Sequence, residues 1–287
     1  MKVQLIESIA AFLEMTAERR SADPLRTNVI GSVAGSVSFG RSHYDECRWW
    51  VVTDDDVVVA MAMRTSPFAM VLAPMSHDAA TLLGEAVGRL DDDVPGLSGS
   101  REVVDYLLEG YRASGSPGSQ RAAHVRRHDL MYELDKLTTP IVEGHGRRAH
   151  HHEVESLAAM FTQFVDEVEL SPLSLADARE GVVKAVNEGS LFCWERDGEM
   201  VSFAGHAPVV HAGSSQVGRV GPVYTPPNFR RHGYASAITA MVTQHLVNQG
   251  ARVMLFTDAS NPTSNAIYQV LGYRPIDELV DVRFEER

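Results

Sequence analysis

The stretch Val220–Val242, VGPVYTPPNFRRHGYASAITAMV, runs from an apolar strand pattern through Arg230-Arg231-His232-Gly233 into a helical pattern. Two arginines, one glycine and a helix start within six residues make an anion site. The first N–H groups of a helix have no partners within it. The helix dipole adds partial positive charge at that end. Gly233 has no Cβ, so the backbone can approach a phosphate closely. The arginines add charge-assisted hydrogen bonds. On its own the short string is weak evidence, and a glycine turn between surface arginines is the commoner reading.

The sequence around this stretch fixes the element order. A strand over Gln216–Thr225 leads in, and a helix over Tyr234–Gln249 leads out. A strand over Val253–Thr257, a short helix over Ser264–Val270 and an extended segment over Tyr273–Phe284 follow. Upstream, Val154, Leu157, Phe161, Phe164 and Val165 share one helix face, and Ala176–Asn187 reads as a second helix. Leu191–Glu195, Arg196-Asp197-Gly198 and Met200–His206 read as a β-hairpin. The first half shows a similar order. Leu5, Ile9, Phe12 and Leu13 recur at helical spacing, and Trp49–Thr53 and Val57–Met63 flank the acidic turn Asp54-Asp55-Asp56. A strand over Phe68–Leu72 and helices over His77–Leu90 and Arg101–Tyr111 follow. Asp129–Leu134 is the next strand, and Gly31, Gly35 and Gly40 in GSVAGSVSFG suggest a loop.

A boundary is expected near residue 138, in the loop-rich stretch around Thr138, Thr139 and Pro140. The two hairpin turns, and Tyr106-x-x-x-Gly110-Tyr111-Arg112 against Tyr268-x-x-x-Gly272-Tyr273-Arg274, raise the possibility of an internal duplication. Chance likeness between α/β segments is the alternative.

Arg230, Gly233 and Ala235 resemble the [RQ]-x-x-G-x-[GA] acetyl-coenzyme A loop of the GNAT acetyltransferase superfamily. Val223-Tyr224-Thr225-Pro226-Pro227 is similar to the strand exit before that loop. Asn261-Pro262 and Asn265-Ala266-Ile267-Tyr268-x-x-x-Gly272-Tyr273 are similar to the strand–helix segment that follows it. The resemblance implies an α/β (α+β) fold of two GNAT-like units, each a mixed, mostly antiparallel sheet flanked by helices. Residues 1–137 would be a degenerate unit and 138–287 the catalytic one.

The resemblance also implies the ligand and the site. Acetyl-coenzyme A would be the co-substrate, with no metal. Val223, Tyr224 and Thr225 would meet its pantetheine arm through the backbone, and a backbone N–H near Val223 would face the oxyanion. The N–H groups of Arg231, His232, Gly233, Tyr234, Ala235 and Ser236 would cradle the pyrophosphate beside Arg230. Asn261 and Asn265 would lie along the arm, though Asn261 could equally cap a helix. Tyr268 would act as general acid on the departing thiolate, against the alternative that its ring only packs on the core. Tyr273 is expected to be structural. The acceptor would be a primary amine of a small molecule or peptide. The usual strand glutamate is missing between Gln216 and Thr225, so Glu195, His206, Asp166 and Glu167 stand as candidate bases beside an ordered water. Asp166, Glu167 and Glu169 could attract a cationic amine or simply form a helix surface. A non-catalytic acyl-coenzyme A sensor is the rival reading.

Composition narrows the alternatives. The chain has 287 residues, 26 basic against 38 acidic side chains and a net charge of −12, which argues against a nucleic-acid partner held by charge. Two cysteines, Cys47 and Cys193, exclude a disulfide scaffold; Cys193, in the apolar run LFCW, reads as a buried small hydrophobe. No apolar run approaches the ~20 residues of a membrane span, and Met1–Glu7 shows no signal-peptide pattern. A cytoplasmic protein is expected, as a monomer or homodimer. His150-His151-His152 reads as a polar helix start, because three successive residues cannot face one ion. Val71–Asp78, where the first half would carry its phosphate loop, has no arginine, no glycine and an acid. That half is expected to shape the acceptor pocket.

Overall fold

The computed structural model describes residues 1–90, 94–168 and 173–285. Glu169, one of the acids considered above, lies outside them. The first half contains β1 (Lys2–Ile6), α1 (Ile9–Met15), α2 (Ala17–Ala22), α3 (Asn28–Ser38), β2 (Cys47–Asp54), β3 (Val57–Thr65) and β4 (Met70–Leu72). It continues with α4 (His77–Arg89), β5 (Gly96–Ser100), α5 (Arg101–Ala113) and β6 (Ala123–Leu134). The second half contains β7 (His145–Arg148), α6 (Val154–Glu167), α7 (Leu175–Asn187), β8 (Leu191–Arg196), β9 (Glu199–His206), β10 (Val210–Ala212) and β11 (Ser215–Tyr224). It ends with α8 (Tyr234–Asn248), β12 (Arg252–Asp258), α9 (Pro262–Val270) and β13 (Tyr273–Phe284). Each half thus runs strand, helices, hairpin, strand, helix, strand, helix, long strand, with β10 added after the hairpin of the second half. None of the helices among the described residues is long and apolar enough to cross a membrane.

All the strands join one mixed, mostly antiparallel sheet in the order β1-β2-β3-β4-β5-β13-β6-β12-β11-β9-β8-β7, with β10 paired to β11. The centre of the sheet is an exchange. β13, from the end of the chain, lies against β5 of the first half, whereas β6 lies against β12 of the second. β6 and β13 pair with each other from Tyr273↔Leu134 to Phe284↔Ala123.

The helices cover both faces. α4 and α5 bury Leu83, Val87, Val104 and Leu107 against β2–β5 and β13. α1 and α3 bury Phe12 and Ile30 against Trp49, Val51 and Met61 on the opposite face. In the second half, α8 and α9 cover Tyr132, Phe192, Val220 and Leu255, and α6 and α7 cover Leu191, Cys193, Phe203 and Tyr224. Leu25 bridges the halves by packing on Met131, Val217 and Met254. Arg26 reinforces that contact: Nε donates to Asp277 at 2.6 Å and Nη2 to the Ile276 carbonyl at 2.8 Å.

Several local readings are corrected. Lys2–Ile6 is a strand, so the first helix begins only at Ile9, where Ser8 Oγ accepts from the Ala11 N–H. Residues 31–38 of the glycine-containing segment are helix α3, and its Gly31 lets the backbone lie close to Val210 of β10, which a Cβ would meet at 3.1 Å. β5 and β10 had no expected counterpart. The two Tyr-x-x-x-Gly-Tyr-Arg segments fall on equivalent helices with different ends: Gly110 lies inside α5, whereas Gly272 (φ +97°) terminates α9.

Candidate active site

The site is built where two parallel strands part. β11 and β12 pair from Val217↔Arg252 to Val220↔Leu255, then diverge, although β11 runs to Tyr224 and β12 to Asp258. On its other edge β11 keeps β9, with Val223↔Ala204 and Tyr224↔Phe203, after a shift of register between Val220 and Val223. Gly221 and Pro222 occupy that shift. Gly221 adopts φ +144°, and Pro222 has no N–H for the ladder. The extra residue turns the strand and leaves its β12-facing edge without a strand neighbour beyond Val220.

The chain then turns at Pro227–Phe229 and enters α8. Gly233 caps the helix at φ +82° with no side-chain cap, and Arg231 is also left-handed at φ +68°. The N–H groups of Arg231 to Ser236 find no hydrogen-bond acceptor among the described residues. Six donors at a helix N-terminus with no acid in the first turn make an anion cradle. Arg231 is exposed beside it. The His232 ring stacks on Tyr234 at 5.5 Å between centroids, and the Tyr234 hydroxyl accepts from Arg196 at 2.9 Å.

Arg230 is turned away from that cradle. Its Nε donates to the Thr225 carbonyl at 2.9 Å and its Nη2 to Glu167 at 2.5 Å, while its guanidinium lies over the Tyr224 ring. Tyr224 donates to the same carboxylate at 2.9 Å, and burial with this neighbour pushes its phenol up to about 12. Ser202 Oγ donates to the Tyr224 carbonyl at 2.8 Å. The strand exit, the loop and α6 are therefore tied together through Arg230, Glu167 and Tyr224.

Tyr268 on α9 is buried with its ring among Tyr132, Tyr273 and Leu271. Its hydroxyl has no hydrogen-bond partner among the described residues, and burial pushes its pKa up to about 12. Tyr273, by contrast, is buried and shares a 2.6 Å hydrogen bond with Thr243. Asn261 caps α9, its Oδ1 accepting from the Ser264 N–H at 3.0 Å. Asn265 Nδ2 donates to the Asp258 carbonyl at 3.1 Å, and its Oδ1 is buried without a partner among the described residues.

The candidate bases are largely committed. Glu195 accepts from Arg147 at 2.7 Å, and Glu167 is held by Arg230 and Tyr224. His206 packs beside Phe192 and His245, with Nδ1 donating to the Ala207 carbonyl and Nε2 buried without a partner among the described residues. Burial lowers its pKa. Asp166 is exposed at the end of α6. Cys193 is fully buried, and burial pushes its thiol up to about 12, which makes it inert. Among the described residues, no group of three or more His, Cys, Asp or Glu is arranged to hold a metal ion.

The matching place in the first half has different chemistry. Ser76 caps α4, accepting from the Ala79 N–H at 3.3 Å, and Asp78 sits in the first turn. The helix end is thus capped by its own side chain and screened by a negative charge. A cavity of about 350 Å³ lies near these strands, between Val71, Ser98 and Val165.

One charge in the apolar run Val217–Tyr224 belongs to no motif. Arg219 extends to α3, donating to Asn28 Oδ1 at 3.1 Å.

Comparison with known proteins agrees with this architecture. Residues 209–282 match the profile of the FR47-like protein family. A mycothiol acetyltransferase of Streptomyces coelicolor is 31% identical over 117 residues, 40% of this chain and 36% of that relative. The chain therefore spans about a third of that protein's length in the match. A mycothiol acetyltransferase of Nocardioides sp. is 23% identical over 92% of this chain and 98% of its own. A solved structure described as a tandem GNAT protein from the clavulanic acid biosynthesis pathway superposes with a TM-score of 0.58 at 13% identity, covering 98% of both chains.

Proposed function

We propose that this chain is a GNAT-type acetyltransferase with two such units in tandem, and that its second unit, residues 138–287, uses acetyl-coenzyme A to acetylate a primary amine. The observation that carries this reading is the α8 N-terminus: six N–H donors without acceptors among the described residues, directly after a strand edge freed by divergence. A pyrophosphate suits the donors, and an extended polar arm suits the strand edge at Val223 and Thr225.

The chain's own residues have defined tasks in this scheme. The backbone from Arg231 to Ser236 binds the pyrophosphate, and Arg231 adds charge. Arg230 positions the loop through Glu167 and Thr225. Asn261 and Asn265 shape the α9 entrance, Asn261 as a cap and Asn265 by holding the β12 exit. The amine attacks the thioester carbonyl, a C–N bond forms, and the C–S bond breaks. Tyr268 donates a hydrogen bond to the leaving sulfur. A phenol near 12 facing a thiol of ~8.5 keeps its proton, so Tyr268 stabilises the thiolate. The proton that ends on sulfur comes from the attacking nitrogen. With Glu195 and Glu167 held in ion pairs, water removes the proton that frees the amine.

Calorimetry with acetyl-coenzyme A, followed by thiol release across an amine panel, tests this reading. The panel includes an amine precursor that carries a thiol, because the relatives are named for mycothiol. Binding with thiol release supports the transferase. Binding without release across the panel replaces it with an acyl-coenzyme A sensor, and absence of binding overturns both.

A further inference from the structure

Arg219 reaches from β11 across the junction between the halves. Nη1 donates to Asn28 Oδ1 at 3.1 Å and Nη2 approaches Ser32 Oγ at 3.5 Å, both on α3. No carboxylate pairs with it among the described residues. Burial lowers its pKa to about 10, with no acid offsetting the shift, so it is charged at neutral pH. Two other arginines at structural junctions are matched by acids: Arg26 faces Asp277 at 2.6 Å, and Arg147 lies between Glu153 and Glu195, each at 2.7 Å; among the described residues Arg20 has only the Leu13 carbonyl and the Thr16 hydroxyl. Arg219 is half-buried, and a partly desolvated cation without a counter-ion among the described residues is costly to keep.

Asn28 makes the deficit specific. It is 1% exposed. Arginine carries only donors, so the amide must turn its oxygen toward Arg219. Nδ2 of the same amide is buried and has no acceptor among the described residues. A guanidinium and the N–H of the amide it donates to, short of acceptors among the described residues, are completed by a group that only accepts and carries negative charge. A carboxylate meets both conditions, and its two oxygens match the guanidinium fork.

The position ties this site to the chemistry. Arg219 precedes Val220, the last β11 residue paired with β12 before the strands part. It lies about 10 Å along the strand from Val223, at ~3.3 Å per residue with the bulged residue adding no rise. A plain monoamine would arrive as a second cation beside Arg219; an amine that also carries a carboxylate would not.

We infer that Arg219 and Asn28 bind a carboxylate of the acceptor, so that the substrates are amino carboxylates and α3 of the first half reads them. This rests on the acetyl-transfer reading above. Two measurements separate the ideas. The first is ligand-observed NMR with N-acetyl ω-amino acids, from N-acetylglycine to 6-acetamidohexanoate, against their amides. The acids bind the wild type at least about tenfold more tightly than the amides, a difference of ~1.4 kcal/mol. Arg219→Met removes that preference. Asn28→Asp removes it too while keeping an acceptor on Arg219, because the new carboxylate fills the site from within; its folding is checked by thermal unfolding. Equal binding of acids and amides, no binding of either, or a preference unchanged in Asn28→Asp overturns the anion site. The second is thiol release from acetyl-coenzyme A with the parent amino acids and their amides, where kcat/KM follows the same preference. Acid-selective binding without thiol release overturns acetyl transfer and leaves the anion site standing. Thiol release without acid selectivity does the reverse.

Discussion

Arg230 and Glu167, 63 residues apart in sequence, form an ion pair at 2.5 Å. Both side chains are roughly two-fifths exposed, so the pair alone adds little stability, ~0–1 kcal/mol. Its value is geometric, because Glu167 also holds Tyr224 and Arg230 also holds the Thr225 carbonyl. Arg230→Met and Glu167→Gln should therefore both weaken acetyl-coenzyme A binding, by about three- to tenfold, ~0.7–1.4 kcal/mol. Calorimetry distinguishes this from direct phosphate contact by Arg230, for which Glu167→Gln would release the arginine and tighten binding.

Gly233 adopts φ +82°, and a Cβ there would meet Val142 Cγ2 at 3.0 Å. Gly233→Val should cost ~1–3 kcal/mol of backbone strain and displace the N–H groups beside it. Affinity for acetyl-coenzyme A should fall at least tenfold. Binding at wild-type strength in this variant would remove the loop from the site.

Tyr268→Phe keeps the ring against Tyr132 and Tyr273 and deletes only the hydroxyl. The expected result is a kcat lower by ~10²-fold, with an unchanged dissociation constant for acetyl-coenzyme A and an unchanged melting temperature. An intact kcat would mean that only the ring matters.

The capped end of α4 predicts one acetyl-coenzyme A per chain. Ser76 occupies the donor geometry that Gly233 leaves open, and Asp78 adds repulsion. A stoichiometry of two by calorimetry would show that the first half binds the ligand despite both features.

His206 and His245 both have pKa values lowered by burial. Their folded values lie below the unfolded value of ~6.5, so the unfolded chain takes up protons first as pH falls. The stability they contribute is complete above the unfolded value and is lost as pH drops through the folded ones. The melting temperature should fall between pH 7.5 and pH 5, and His206→Leu should reduce that fall.

Local pattern made much of this fold legible. The β2–β3 and β8–β9 hairpins, α4, α8 and the Arg230–Ala235 turn follow from periodicity and punctuation within short windows. What escaped reading depends on distant neighbours. β5, with the sequence GLSGS, is a strand because its glycines admit other backbone: a Cβ on Gly96 would strike the Val282 carbonyl at 2.1 Å. α3 is helical with small residues because β10 lies close against it. The loop motif marked Arg230, but its turn toward Glu167 required α6 to be in place. Arg219 gave only an odd charge in an apolar strand, and its lack of a counter-ion is visible only once α3 crosses it.

The exchange of β6 and β13 bears on how the protein emerges from the ribosome. β5 pairs with β4 on one edge but finds its second neighbour only when β13, residues 273–284, has been made. Until then its free edge is a template for pairing with other chains. The first half therefore cannot finish ahead of the second, and a stalled or truncated nascent chain would expose that edge in solution.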